Sequence, residues 1–179
     1  TGLGLGLPEN FPEVEAATIL NVEETLITKG TRAFYGRGLF SDASLFDVFS
    51  FEVLTGNGPK SLENKDAILL TSSFAKQHFG SEDPIGQTLE LDQQGLLTVV
   101  GIVKDPPKNS HLTIDFIASI EGLPFFQPNN WQNYSTYAYM LLKEGYKPQE
   151  LEEKFIMLDQ KYLQAKDAEE PITKSIFFL

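Results

Sequence analysis

The sequence contains no cysteine. Disulfides, thiolate metal sites and cysteine nucleophiles are therefore excluded. That absence suits an extracytoplasmic bacterial protein, although cytosolic domains share it. Histidine is nearly absent too, with His78 and His111 the only two. Basic charge is scarce: 14 Lys and Arg stand against 25 Asp and Glu, for a net charge of −11. A phosphate backbone or an anionic membrane surface would be repelled, so no nucleic acid is expected as a partner. No run of about 18 apolar residues occurs, so no stretch reads as a membrane-spanning helix. Nor does any stretch have the pattern of a signal peptide. The two ends, TGLGLGLP and SIFFL, read as cut from something longer.

What is present is the material of a core. Hydrophobic residues make up 41% of the 179 and aromatics 12%, with 14 Phe among them. A chain of this length buries roughly 70% of its unfolded surface, so it needs neither disulfide nor metal to fold. One domain or two small lobes are expected.

The local signals run in a definite order. ATILNV (Ala17 to Val22) and TLITK (Thr25 to Lys29) read as strands of a hairpin joined at Glu23–Glu24. AFYGRGLF (Ala33 to Phe40) reads as a third strand, with Gly36 and Gly38 marking a bulge. Asp42 to Phe51 has helical spacing behind Ser41 and Asp42 as caps. A strand over Phe51–Leu54 follows, and then a loop punctuated by Asn57-Gly58-Pro59.

Next comes AILLTSSFAKQHFGSEDPIGQTLEL, Ala67 to Leu91, the most patterned piece of the chain. Ile68, Leu69 and Leu70 suit a strand covered on both faces. Thr71, Ser72 or Ser73 can cap a helix bearing Phe74, Ala75, His78 and Phe79 on one face. Gly80 stands where a positive-φ cap is wanted, and Pro84 cannot extend the helix. Strands are expected over Gln87–Leu91, Leu97–Lys104, Leu112–Ile120, Tyr134–Lys143 and Thr173–Phe178. Glu121 to Gln132 is irregular and aromatic. Pro148 to Gln164 is the clearest helix, with Leu151, Phe155, Leu158 and Tyr162 on one face. About nine strands and three helices without βαβ alternation predict an α+β fold, mainly antiparallel.

Reactive patterns are missing. GLGLG at Gly2–Gly6 has no strand before it and no Lys-Ser/Thr after it, so no nucleotide site and no cofactor are expected. Neither histidine has a carboxylate at metal-ligand spacing, and no G-x-S-x-G elbow supports a triad. The acidic pairs Glu23–Glu24, Glu82–Asp83, Glu152–Glu153 and Glu169–Glu170 read as solvated charge. No catalytic or metal residues are assigned. The cluster Phe46/Phe49/Phe51 reads as core. Phe125, Phe126 and Trp131 lie in the irregular segment and either pack in the core or meet a partner or substrate.

Three stretches carry a family likeness. LFDVFSFEVLTG (Leu45 to Gly56), then Ala67 to Leu91, then LTVVGIVKDPPKNSHLTIDFIASI (Leu97 to Ile120) resemble the MacB-like periplasmic core domain. That domain occurs in permease subunits of FtsX/MacB-type ABC transporters, and the wording VKDPPKNSHL and DFIASI is similar to Bacteroidetes-type versions. The likeness runs from about Asn10 to the C-terminal strand, and its specificity lies in the ordered series rather than in any single turn.

The resemblance implies one core domain over 1–179, a periplasmic domain of an inner-membrane protein, set between two transmembrane helices. It implies a porter-like α/β lobe from 1–50 with 115–179 and an inserted β-rich lobe over 51–114. It implies no catalytic site, but a relay of motion driven by a cytoplasmic ATPase subunit, a permease dimer, and docking of a periplasmic adaptor or substrate. The alternatives are a stand-alone periplasmic binding protein for a peptide or apolar ligand, and a secreted hydrolase.

Overall fold

Val14–Lys29 form a single strand, β1. The computed structural model describes residues 11–92, 94–124, 126, 137–149, 151 and 154. The hairpin expected at Glu23–Glu24 is therefore not there. Two acids in a row offer no positive φ and no fixed φ, and they simply alternate with the rest of the strand. The reversal occurs at Gly30–Thr31, with Gly30 at φ +60 and Lys29 opposite Arg32. It leads into β2, Arg32–Ser41.

The expected bulge in β2 is also absent. Thr25 stands opposite Gly36 and Glu23 opposite Gly38 with no shift of register. Both glycines are required for space. A Cβ on Gly36 would lie 2.9 Å from Ile27 Cδ1, and one on Gly38 would lie 2.4 Å from Phe116 Cζ.

Helix α1 is one turn, Leu45–Val48, shorter than the span expected from Asp42 to Phe51. Asp42 Oδ1 accepts from Ser44 N at 2.9 Å, just ahead of that turn. Strand β3, Val53–Gly56, comes next, and a 3-10 turn occupies Pro59–Glu63. Strand β4, Ala67–Thr71, is buried at every residue. Helix α2, Ser72–Phe79, is capped by Thr71, whose hydroxyl accepts from Phe74 N at 3.4 Å. Strands β5 (Thr88–Leu91), β6 (Gly95–Val103), β7 (Phe116–Ser119) and β8 (Tyr137–Leu142) complete the described sheet. Leu112 and Ile114 are buried ahead of β7 but join no ladder, so that strand is shorter than expected. Pro148, Gln149, Leu151 and Lys154 are helical, at the start of the expected Pro148–Gln164 helix. The rest of that helix, and the strand expected at Thr173–Phe178, lie outside the described residues.

Helix α2 ends at Gly80, which takes φ +62 and ψ −111 and donates its N–H to Lys76 O. No atom lies within 4 Å of where a Cβ would sit there, so any side chain meets only backbone strain. Gly80→Val should therefore cost on the order of 1–2 kcal/mol. An unchanged melting temperature would show that the helix does not depend on this residue for its end.

Among the described residues six of the eight strand pairings are antiparallel, with β2–β7 and β4–β6 parallel. The sheet is mixed and the fold α+β, as expected. β1, β2, β7, β4, β6 and β5 pair in succession, and β5 returns to β1, so the ladder closes on itself. Every strand of that ring places side chains in one cluster, including Ile27, Phe40, Ile68, Leu70, Leu89, Val99 and Phe116. This cluster is the ring's interior. Alternate residues such as Leu39, Leu69 and Ile117 face outward into a second cluster beneath α1 and the segment 112–114. That double covering explains the unbroken apolar run of β4.

β1 belongs to two arrangements. Its later part, from Leu20 onward, pairs with β2, and its earlier part, to Leu20, pairs with β8. Beside the earlier part Phe11, Val14, Ala17 and Leu151 form a third small cluster, against which Met140 and Leu142 pack. Glu13, almost fully buried there, is held by Lys154 at 2.5 Å. That hydrogen bond, with help from the backbone, keeps its carboxyl below the usual carboxylate range.

Candidate functional site

The corner where β4 meets α2 is tied to a distant loop. Asp105 Oδ1 accepts from Ser73 N at 3.1 Å, and the hydroxyls of Ser72 and Ser73 also donate to its carboxylate. Burial alone would raise the Asp105 carboxyl, but these hydrogen bonds together hold it below its ordinary value. A carboxylate at a helix N-terminus also complements the helix dipole. Thr71, Ser72 and Ser73 thus fix Lys104-Asp105-Pro106-Pro107 in place, and three parts of the sequence series converge.

Beside this anchored loop lies an apolar groove of about 260 Å³. Phe49, Phe51, Pro106, Pro107 and Leu112 supply its apolar walls. Glu52 and Lys104 pair across its rim at 2.7 Å, and Lys104 N donates to Glu52 O at 2.8 Å. Phe51 packs on both Phe46 and Phe49, with ring centres 6.1 Å apart in each case. Phe49 in turn meets Tyr139 at 5.1 Å, and the Tyr139 hydroxyl lies 2.9 Å from His111 Nε2. These three phenylalanines are half-buried: one side rests on the second cluster and the other is open.

Of the three residues expected either to pack in the core or to meet a partner, Phe126 is half-buried and packs against the ring interior, its N–H bonded to Leu123 O at 3.0 Å. Phe125 and Trp131 lie outside the described residues, as do Gly2–Gly6, Glu152–Glu153 and Glu169–Glu170.

The histidines are held by aromatic rings. His78 stacks on Phe34 at 3.8 Å and touches Phe74 at 4.4 Å, and burial, with Arg32 nearby, lowers its pKa. His111 rests on Tyr139 and Phe49. Glu82 is bound to Lys29 at 2.9 Å, while the Lys29 ammonium also sits 3.7 Å from the Phe79 ring centre. These charges line an open polar cleft beside the Gly30–Thr31 turn, together with Arg32 and Gln87. Among the described residues, no group of three or more His, Asp or Glu is placed to hold a metal ion.

One carboxyl is strained. Glu23 faces the same side of β1 as Ile19 and Ile27, its Oε1 is buried without a partner among the described residues, and desolvation raises its pKa. An acid with a raised folded-state pKa penalises the fold once it ionises. The penalty is absent below its ordinary value, near 4.5, and grows as pH rises through the folded value. Glu23→Gln should therefore be more stable than the parent chain at pH 7, and the gap should close near pH 4. Urea titrations at the two pH values test this, and an equal gap at both would refute the assignment.

Sequence reasoning missed the groove because its walls come from segments more than fifty residues apart. The signals were present singly: three phenylalanines at 46, 49 and 51, and the paired prolines 106 and 107. Only the β3–β6 ladder and the Asp105 anchor bring them together.

Solved structures share this architecture. A domain of a protein described as a permease from Porphyromonas gingivalis superposes with a TM-score of 0.79 at 24% identity, covering 94% of this chain and 71% of its own. The periplasmic region of MacB from Actinobacillus actinomycetemcomitans gives 0.67 at 15% identity, covering 90% and 72%. The extracellular domain of the ABC-type transporter YknZ from Gram-positive bacteria gives 0.62 at 13%, covering 84% and 77%. Among curated proteins nothing matches this chain. The fold is thus that of extracytoplasmic domains of transporter permeases. The MacB-like periplasmic core domain family model matches residues 4–157, and the chain belongs to that family.

Proposed function

We propose that this domain is a non-catalytic periplasmic part of an ABC transporter permease that relays ATPase-driven motion and docks a partner or substrate. The observation that carries this reading is β1. One strand starts in the cluster of Phe11, Val14 and Leu151, where the N-terminal segment meets the helix after β8, and ends at the far tip of the ring. A displacement applied near that cluster reaches the ring through one continuous strand and not through a loop. The two-lobe division belongs to the same proposal with its boundary moved: β1, β2 and β7, from 1–50 and 115–179, share the ring with β4, β5 and β6 of 51–114, so the ring would be the inserted lobe and that cluster the core of the porter-like lobe. Partners at the membrane would be a cytoplasmic ATPase and a second permease copy, and in the periplasm an adaptor.

The docking part is assigned to the groove and also to the segment of Phe125, Phe126 and Trp131. In the full-length permease Phe49→Ala and Phe51→Ala should each weaken partner or substrate engagement about tenfold if these rings act as anchors. His78→Ala with His111→Ala should leave transport intact. The check is a transport or adaptor-binding assay with folding monitored by circular dichroism. Loss of transport in the folded histidine double variant would sink the non-catalytic reading. Normal engagement in all the aromatic variants, Phe125, Phe126 and Trp131 included, would return these residues to packing. The groove also suits the second reading, a stand-alone binding protein for a peptide or apolar ligand. That reading requires a gene without flanking transmembrane helices.

A further inference from the structure

Leu20 is the only residue of β1 that belongs to both of its long ladders, opposite Ser41 of β2 and Tyr137 of β8. Upstream of it, no strand among the described residues pairs with the β2 edge of β1. Two carbonyls there are bonded to hydroxyls instead. Ser41 Oγ donates to Ile19 O at 2.7 Å, and Ser44 Oγ donates to Ala17 O at 2.7 Å. Thr18 Oγ1 lies 3.0 Å from Ser41 Oγ and donates to Asp42 Oδ1 at 3.3 Å. Thr18 and Ser41 have no exposed surface. The Tyr139 contacts with Phe49 and His111 cross the same junction.

We infer that Leu20 is a joint. The unit of Val14–Leu20, β8 and the residues packed on Phe11 swings against the ring, and Thr18, Ser41, Asp42 and Ser44 form its latch. The ring is held by backbone ladders on both edges of each strand, whose hydrogen bonds open together. Ile19 packs in the ring interior and Leu20 in the second cluster with Leu45, so the swing pivots on these side chains, while the latch itself is made of single side-chain hydrogen bonds, each exchangeable for water at small net cost. The use of the joint in transport rests on the relay reading above, but its existence does not.

Hydrogen exchange tests the joint directly. Ser41→Ala with Ser44→Ala should speed exchange of the amides at 14–20 and 137–142 about tenfold while β4 and β6 stay unchanged. Should the double variant fail to fold, Ser44→Ala alone should give the same pattern at a smaller factor. Uniform acceleration through the chain, or none, overturns the joint. The converse variant is Thr18→Cys with Ser41→Cys, whose side-chain positions approach disulfide distance in a chain without native cysteine. Oxidation should slow exchange at 14–20 and 137–142. In the full-length permease it should block transport until reductant is added. A disulfide within the ring, Leu26→Cys with Tyr35→Cys on directly opposed positions, should be harmless. Slowed exchange with undiminished transport would keep the joint and overturn the relay.

Discussion

Phe116→Ala should remove about 3–5 kcal/mol of stability. Phe116 is completely buried and stands at the centre of the ring interior. Its ring meets Phe40 edge-on at 5.7 Å and Phe74 at 6.5 Å. It belongs to β7, which pairs with β2 on one side and β4 on the other. Neither neighbour can move inward to fill the void without breaking a ladder, so the cavity stays open. For a chain of this size the loss corresponds to a fall of about 10 °C in melting temperature. A shift below about 3 °C would mean that the ring collapses around the missing side chain, and that its interior is not close-packed.

Gly38→Val is the complementary experiment, adding volume at the same contact. Gly38 is the direct cross-strand partner of Phe116. Its absent Cβ would fall 2.4 Å from Phe116 Cζ and 2.8 Å from Phe40 Cε2. Both rings are almost fully buried, so neither has a free path away. The expected cost is about 3 kcal/mol, the upper end for overpacking. The two effects are coupled by construction. Gly38→Ala should be tolerated better when Phe116 is also Leu, with an interaction energy above roughly 0.5 kcal/mol in a double-mutant cycle. Strict additivity in denaturant unfolding would show that the ring does not lie over the glycine.

Much of the site's scaffold was legible in local sequence. Thr71, Gly80 and the apolar triplet Ile68–Leu70 each act over a few residues, and the structure uses them as the sequence suggests. The errors share one cause. Glu23–Glu24 reads locally as a turn, and Gly36 and Gly38 as a bulge, because the partners that decide these positions are remote. Gly38 is small on account of Phe116, 78 positions along the chain, and no local pattern reports that distance.

By itself the sequence determined most of the elements, the α+β class, the lack of cysteine chemistry and, through its ordered series, the family. Propensity, capping and alternation are properties of neighbouring residues, so they survive in one dimension. Ring closure through β1, β2 and β5, the exchange of β1 from β2 to β8 at Leu20, and the groove between Phe51 and Pro106 were decided only by tertiary structure. Each depends on which strand edge is left unpaired once the others are satisfied. That is settled by packing over the whole chain, not by any stretch of it.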